Sequence, residues 1–229
     1  MLTSLRRQPV LAVLRAPTLP EARCQLDQPL AAGLRHVELA VRADAGWVVM
    51  ARELQRAYPA LRFGAASVCS AEALSAVAAA GLAYAVSPIL DPALLEQARA
   101  SAITLVPGVF TPTEVALAVR CGAPAVKLFP AATLGAGYWR SLAGPLAPLP
   151  FCIAAGGLGV GDVTRWLAAG VDAVALGGQL FAPAAADRHG SGDGAAEASK
   201  PRLRSELAPL LAELIAPLDR PDDRGLLST

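Results

Sequence analysis

The 229-residue sequence predicts a single (β/α)8 barrel over residues 1–229. Three observations carry this. Eight short apolar runs alternate with amphipathic or alanine-rich helical stretches, the pattern that gives parallel strands joined by helices. The turn after the first run, Arg15-Ala16-Pro17-Thr18, lacks the glycines expected where a doubly wound open sheet begins. Glycine pairs follow each of the last two runs, Gly156-Gly157 and Gly177-Gly178, where barrels of this kind place their binding loops.

In order, Pro9 to Leu14 reads as the first strand. A helix from Leu19 to Gly33 follows, with Thr18 as its cap and a kink or break expected at Pro29. His36 to Val41 is the second strand, and Trp47 to Tyr58 the second helix by its apolar spacing. Arg62 to Ser67 is the third strand, and Ser70 caps a helix that ends at Gly81. Leu82 to Val86 is the fourth strand. Asp91-Pro92 opens a helix with proline at its first position, where the missing N–H costs least. Ile103 to Val106 is the fifth strand, and Thr111-Pro112-Thr113-Glu114 carries a capping-box pattern for a helix to Gly122. Ala125 to Phe129, Phe151 to Ala155 and Ala173 to Leu176 are the last three strands. Gly137 to Leu142 is a short helix, and Asp162 caps another that ends at Gly170. Residues 183–200, rich in Ala, Gly, Ser and Asp, read as a flexible insertion. Residues 201–218 have helical periodicity, and 219–229 form a polar tail.

The formal net charge is +1, and no basic block argues for nucleic acid or an anionic membrane. Two uncharged runs, Ala73 to Leu90 and Ser141 to Gly161, reach spanning length, but glycines and prolines interrupt both. No secretory signal is read at the N-terminus, so the expectation is a soluble cytoplasmic protein. The four cysteines fit no zinc spacing and read as free thiols. With two histidines besides, no metal is expected.

The chain has 18 Arg and two Lys. Lys200 lies in the polar stretch near the C-terminus, whereas Lys127 sits in the apolar run Ala125-Val126-Lys127-Leu128-Phe129-Pro130. Arginine stays protonated, but a desolvated lysine can lose its proton and become a nucleophile. A lysine snorkelling from a strand end also fits that segment. Glu38 and Arg42, four residues apart in the second strand, are expected on one face near its C-terminal end. They fit either a structural ion pair or a working acid. Gly64-Ala65-Ala66-Ser67 ends the third strand with small residues that leave room for a ligand, or simply pack. Ser87-Pro88 and Pro107-Gly108 read as sharp turns. The glycine pairs after strands seven and eight suit a phosphate cradle made by backbone N–H groups.

These segments resemble the 2-keto-3-deoxy-6-phosphogluconate / 4-hydroxy-2-oxoglutarate aldolases, class I lyases on a (β/α)8 barrel. The resemblance runs from Val10 to Phe181, and Lys127-Leu128-Phe129-Pro130-Ala131 and Pro107-Gly108-Val109 with Thr111-Pro112-Thr113-Glu114 carry most of it. It implies that Lys127 forms a Schiff base and that Glu38 is the general acid/base. It assigns Arg42 to the substrate carboxylate, Ser67 to the pocket wall, and Pro88 and Phe129 to shaping the site. Gly156, Gly157, Gly177 and Gly178 would hold a phosphate, with Arg15 a further anion contact. It also implies a 2-keto acid substrate, no cofactor and a homotrimer.

Three departures bear on substrate preference: Ala154-Ala155 for Pro-Thr, Ser67 for threonine, and Gln179 for serine. The N-terminal helix of typical members looks nearly absent. The alternatives are the same chemistry on 4-hydroxy-2-oxoglutarate or another unphosphorylated keto acid, a phosphate-binding isomerase or synthase without a covalent intermediate, and a ligand-binding barrel that has lost turnover.

Overall fold

The computed structural model describes residues 1–42, 44–182 and 202–215. The expected insertion at 183–200, the polar tail at 219–229 and the last residues of the expected C-terminal helix lie outside them. The barrel strands are β1 (Val10–Leu14), β2 (His36–Ala40), β3 (Arg62–Ala66), β4 (Tyr84–Val86), β5 (Thr104–Val106), β6 (Gly108–Val109), β7 (Ala125–Leu128), β8 (Phe151–Ala155) and β9 (Ala173–Leu176). All pair in parallel, in the order β5-β4-β3-β2-β1-β9-β8-β7-β6. The fold is a (β/α)8 barrel, as the sequence predicts.

The two ends of that order are halves of one strand, separated by Pro107. The first half bonds to β4 and the second to β7. Proline has no N–H for the β4 side, while its carbonyl accepts the Lys127 N–H at 2.8 Å. Gly108 is required by close approach: a Cβ there would sit 2.2 Å from the Pro88 carbonyl.

The connecting helices start where capping chemistry places them. They are α2 (Leu19–Ala31), α3 (Ala45–Ala57), α4 (Ala71–Ala80), α5 (Pro92–Ala100), α6 (Pro112–Arg120) and α10 (Val163–Ala168). Thr18, Ser70 and Asp91 each accept a first-turn N–H, and Thr111 with Glu114 completes a capping box. Asp44 caps α3 through the Trp47 N–H at 2.7 Å, two residues ahead of the start expected from apolar spacing.

Four expectations are corrected. Helix α2 is not broken at Pro29, which lies in its last turn, and Gly33 at φ +96° closes that end with N–H bonds from Gly33 to Leu30 and from Leu34 to Pro29. Asp162 does not cap α10; its carboxylate accepts the Gly159 N–H at 2.9 Å and holds the preceding 3-10 turn. The connection after β7 holds three short helices, α7 (Ala131–Leu134), α8 (Gly137–Ser141) and α9 (Ala143–Leu146), in place of one. The C-terminal helix, α11 (Leu207–Ile215), starts six residues later than expected, because Arg202–Leu203 forms strand β11 against β10 (Phe181–Ala182).

The N-terminal segment forms helix α1 (Leu2–Arg7), short but present. Its Leu5 is buried with Leu11, Tyr84, Val106, Phe151 and Ile153 in the barrel interior. It therefore plugs the end of the barrel opposite the strand C-termini. A second, larger core fills the layer between strands and helices and buries Trp47, Trp139 and Trp166. No helix among the described residues is long and apolar enough to cross a membrane.

Candidate active site

Strand alternation decides which polar groups enter the barrel. Val13, Glu38 and Gly64 lie side by side on β1, β2 and β3. Across the ring, Gly108, Lys127 and Ile153 do the same on β6, β7 and β8. Because residues two apart share a face, the face that carries Leu11 and Phe151 inward also carries Glu38 and Lys127 inward.

Glu38 is 1% exposed, and its Oε1 has no hydrogen-bond partner among the described residues. Burial pushes its pKa up from 4.5 to about 8, while the positive charge of Lys127 opposes the shift. Burial therefore favours the protonated carboxyl near neutral pH. Lys127 responds in the opposite direction. Burial lowers its pKa, Glu38 raises it, the Arg15 guanidinium lowers it again, and Cys69 raises it. Desolvation weighs most for both groups, so the pair tends toward a neutral amine beside a neutral acid.

The Lys127 Nζ lies 4.4 Å from the centroid of the Phe129 ring. The same ring packs against Gly156, where a Cβ would come within 2.9 Å of it. Gly156 and Gly157 also hold φ of +96° and +76°, which L side chains rarely adopt. The glycine loop after β8 is thus seated on the aromatic wall of the lysine. Gly177 and Gly178, on the neighbouring loop after β9, face open space. Pro88 reaches the site through its backbone, packed on Gly108 beside Lys127 in register.

Arg15 donates to the Ser67 hydroxyl at 3.4 Å, joining the ends of β1 and β3. Ser67 adopts φ +63°, uncommon outside glycine. Arg42 is not where strand spacing puts it. Strand β2 ends at Ala40, and the Arg42 guanidinium turns aside to Asp44 at 3.1 Å and the Ala16 carbonyl at 3.2 Å. No Glu38–Arg42 pair forms; the charge that Glu38 answers to is Lys127. Arg15 and Arg42 line one cavity of about 400 Å³ at the barrel mouth with Ala16, Pro17, Ala40 and Val41.

The room that Gly64 leaves is not ligand space. A Cβ there would lie 2.1 Å from the Tyr84 ring, which fills it. Tyr84 is buried, and the Glu38 carboxylate helps burial raise its pKa well above 10. Sequence reading missed Tyr84, because a lone tyrosine in a strand carries no spacing signal. It also missed Arg204, whose Nε donates to the Gln179 carbonyl at 2.8 Å beside the second glycine pair. Arg204 follows the 183–200 stretch, and no local pattern ties it to β9.

A closed barrel that turns a partly buried amine and a buried carboxyl to its inner face, beneath a mouth of arginines and glycines, has the layout of an enzyme site. Comparison with known proteins gives the family. The sequence model of the KDPG and KHG aldolases matches residues 2–192. The chain is 32% identical over 186 residues to 2-dehydro-3-deoxy-phosphogluconate aldolase of Dickeya dadantii (strain 3937), covering 81% of this chain and 86% of that one. It is 29% identical over 174 residues to 2-dehydro-3-deoxy-6-phosphogalactonate aldolase of Escherichia coli (strain K12), covering 76% and 84%. The crystal structure of the 2-keto-3-deoxy-6-phosphogluconate aldolase of Zymomonas mobilis ZM4 with 3-phosphoglycerate superposes with a TM-score of 0.73 at 25% identity, covering 94% and 95%. The chain belongs to the KDPG and KHG aldolase family. It is an aldolase, a lyase acting on carbon–carbon bonds.

Proposed function

We propose that the enzyme cleaves 2-keto-3-deoxy-6-phosphogluconate to pyruvate and glyceraldehyde 3-phosphate through a Schiff base on Lys127. The observation that carries this is the lysine amine held in the barrel interior against a buried carboxyl, with both pKa values displaced toward neutral forms. The neutral amine adds to the C2 ketone. The protonated Glu38 gives its proton to the departing hydroxyl, so water leaves and the iminium forms. The resulting carboxylate takes the C4 hydroxyl proton through water as the C3–C4 bond breaks. The electron pair of that bond moves into the iminium and gives an enamine. Glu38 returns the proton to C3, and hydrolysis frees pyruvate and the amine.

Arg15 and Arg42, sharing one cavity at the mouth, hold the substrate carboxylate with Ser67. Pro88 and Phe129 shape the walls around the amine. Gly156, Gly157, Gly177 and Gly178 receive the phosphate, a reading supported by the open space at Gly177 and Gly178; the Zymomonas relative was solved with 3-phosphoglycerate, itself a phosphate ester. The chain works as a homotrimer, a reading motivated by the exposed apolar side chains Ile89, Phe110 and Val119; the cytoplasmic location rests on the sequence alone.

Borohydride reduction in the presence of pyruvate tests the chemistry. A mass adduct on the Lys127 peptide is expected; an unlabelled Lys127 with an intact enzyme rules the covalent route out. Turnover of 4-hydroxy-2-oxoglutarate measured alongside tests the phosphate, which that substrate lacks.

A further inference from the structure

The base of the barrel holds a second polar cavity, at the opposite end of the strands from Lys127. It encloses about 660 Å³ and is lined by Ser4 and Arg7 of α1, by Gln8, by Arg35 and His36 at the start of β2, by Arg62 at the start of β3, and by Ala60 and Ile215. Three arginines line it, and none has a carboxylate partner among the described residues. All three are exposed, and Arg35 is further held by Nη1 bonds to the Leu30 and Leu34 carbonyls.

His36 closes the floor of the cavity. It is 1% exposed, and its Nε2 lies 3.1 Å from the Ser4 hydroxyl, while its Nδ1 is buried out of reach of the cavity. Burial, with Arg62 adding to it and a hydrogen bond to Ser4 opposing it, lowers its pKa to about 4, so the ring is neutral at pH 7 and the charge of the cavity is that of its arginines.

We propose that this basal cavity binds a small phosphate-bearing anion, held by Arg7, Arg35 and Arg62 with His36 beneath it. Guanidinium forks match phosphate oxygens bidentately, and positive groups from α1, β2 and β3 surround the space. The cavity opens to solvent, so a diphosphate or a phosphate ester can enter as well as inorganic phosphate. The site is separate from the glycine loops, which lie after β8 and β9 at the strand C-termini. Its occupant would tie α1 to the starts of β2 and β3.

The test is calorimetric titration of the full chain with inorganic pyrophosphate, and with inorganic phosphate as a weaker probe. Binding to the unaltered protein is expected, with affinity at least tenfold weaker in the Arg7→Ser/Arg62→Ser double variant and kcat and KM for aldol cleavage unchanged. Arg62→Gln alone, a single exposed change, should show a smaller loss in the same direction. Gly178→Val, at the catalytic mouth, should leave this pyrophosphate binding intact. No binding to the unaltered protein overturns the proposal. So does equal affinity in the double variant, or loss of binding in Gly178→Val alone, which would place the anion at the mouth.

Discussion

Replacing Glu38 with glutamine separates what the carboxyl costs the fold from what it does for the reaction. The folded-state pKa of about 8 lies above the ordinary 4.5, so the native protein binds this proton more tightly than the unfolded chain. The associated stability is fully present below pH 4.5. It is lost as pH rises, because the unfolded chain ionises Glu38 while the fold resists doing so. The slope approaches about 1.4 kcal/mol per pH unit and flattens above pH 8, where the native carboxyl ionises too. Between pH 5 and pH 8 this one group removes stability on the order of 3 kcal/mol. Glutamine keeps the shape and cannot ionise, so Glu38→Gln should lose stability more slowly over that interval. Urea unfolding of both proteins at pH 5 and pH 8 measures the difference, with pyruvate release followed in parallel. The variant should gain on wild type by about 3 kcal/mol at the higher pH while losing nearly all turnover. An unchanged gap between the two curves, within about 0.5 kcal/mol, would mean that Glu38 is already ionised and solvated at pH 7.

Lys127→Arg should release no pyruvate although it keeps the charge, since a guanidinium does not deprotonate; a stopped assay coupled to pyruvate reduction checks it, and residual turnover above background counts against the amine. Gly64→Ala should destabilise the protein by about 3 kcal/mol or more, because the new methyl overlaps the Tyr84 ring; Gly64→Ala/Tyr84→Leu should recover part of it in thermal unfolding, and no recovery would place the strain elsewhere. Arg204→Ala should raise KM for the phosphorylated substrate about tenfold with kcat nearly unchanged, and leave KM for 4-hydroxy-2-oxoglutarate alone; equal effects on both would make Arg204 purely structural.

Strand and helix order was legible because apolar runs, caps and prolines are local signals. Thr111 with Glu114, and Asp91 before Pro92, each specify a helix start within four residues, and the structure places α6 and α5 there. Lys127 and Glu38 stood out because a charge in an apolar run is locally anomalous, and alternation sends both inward. Arg42 was misplaced because the strand stops at Ala40, and strand geometry does not extend past the last ladder bond. Gly64 was misread because its neighbour across the ladder, Tyr84, is twenty residues away; only register shows that a ring fills the gap. Arg204 was invisible for the same reason on a longer scale, since an antiparallel pairing after a long intervening stretch brings it to the β9 loop.

The seam at Pro107 has a consequence for how the enzyme fails. On that side the ring is closed by two backbone bonds, from the Lys127 N–H to Pro107 at 2.8 Å and from the Phe129 N–H to Val109 at 3.0 Å. Loosening there, by heat, denaturant or a mutation in strand five, would displace Lys127, the proposed nucleophile, before the outer helices need to separate. Inactivation should therefore run ahead of the loss of helical signal during gradual denaturation, with the wall giving way first at the point where the chemistry is mounted.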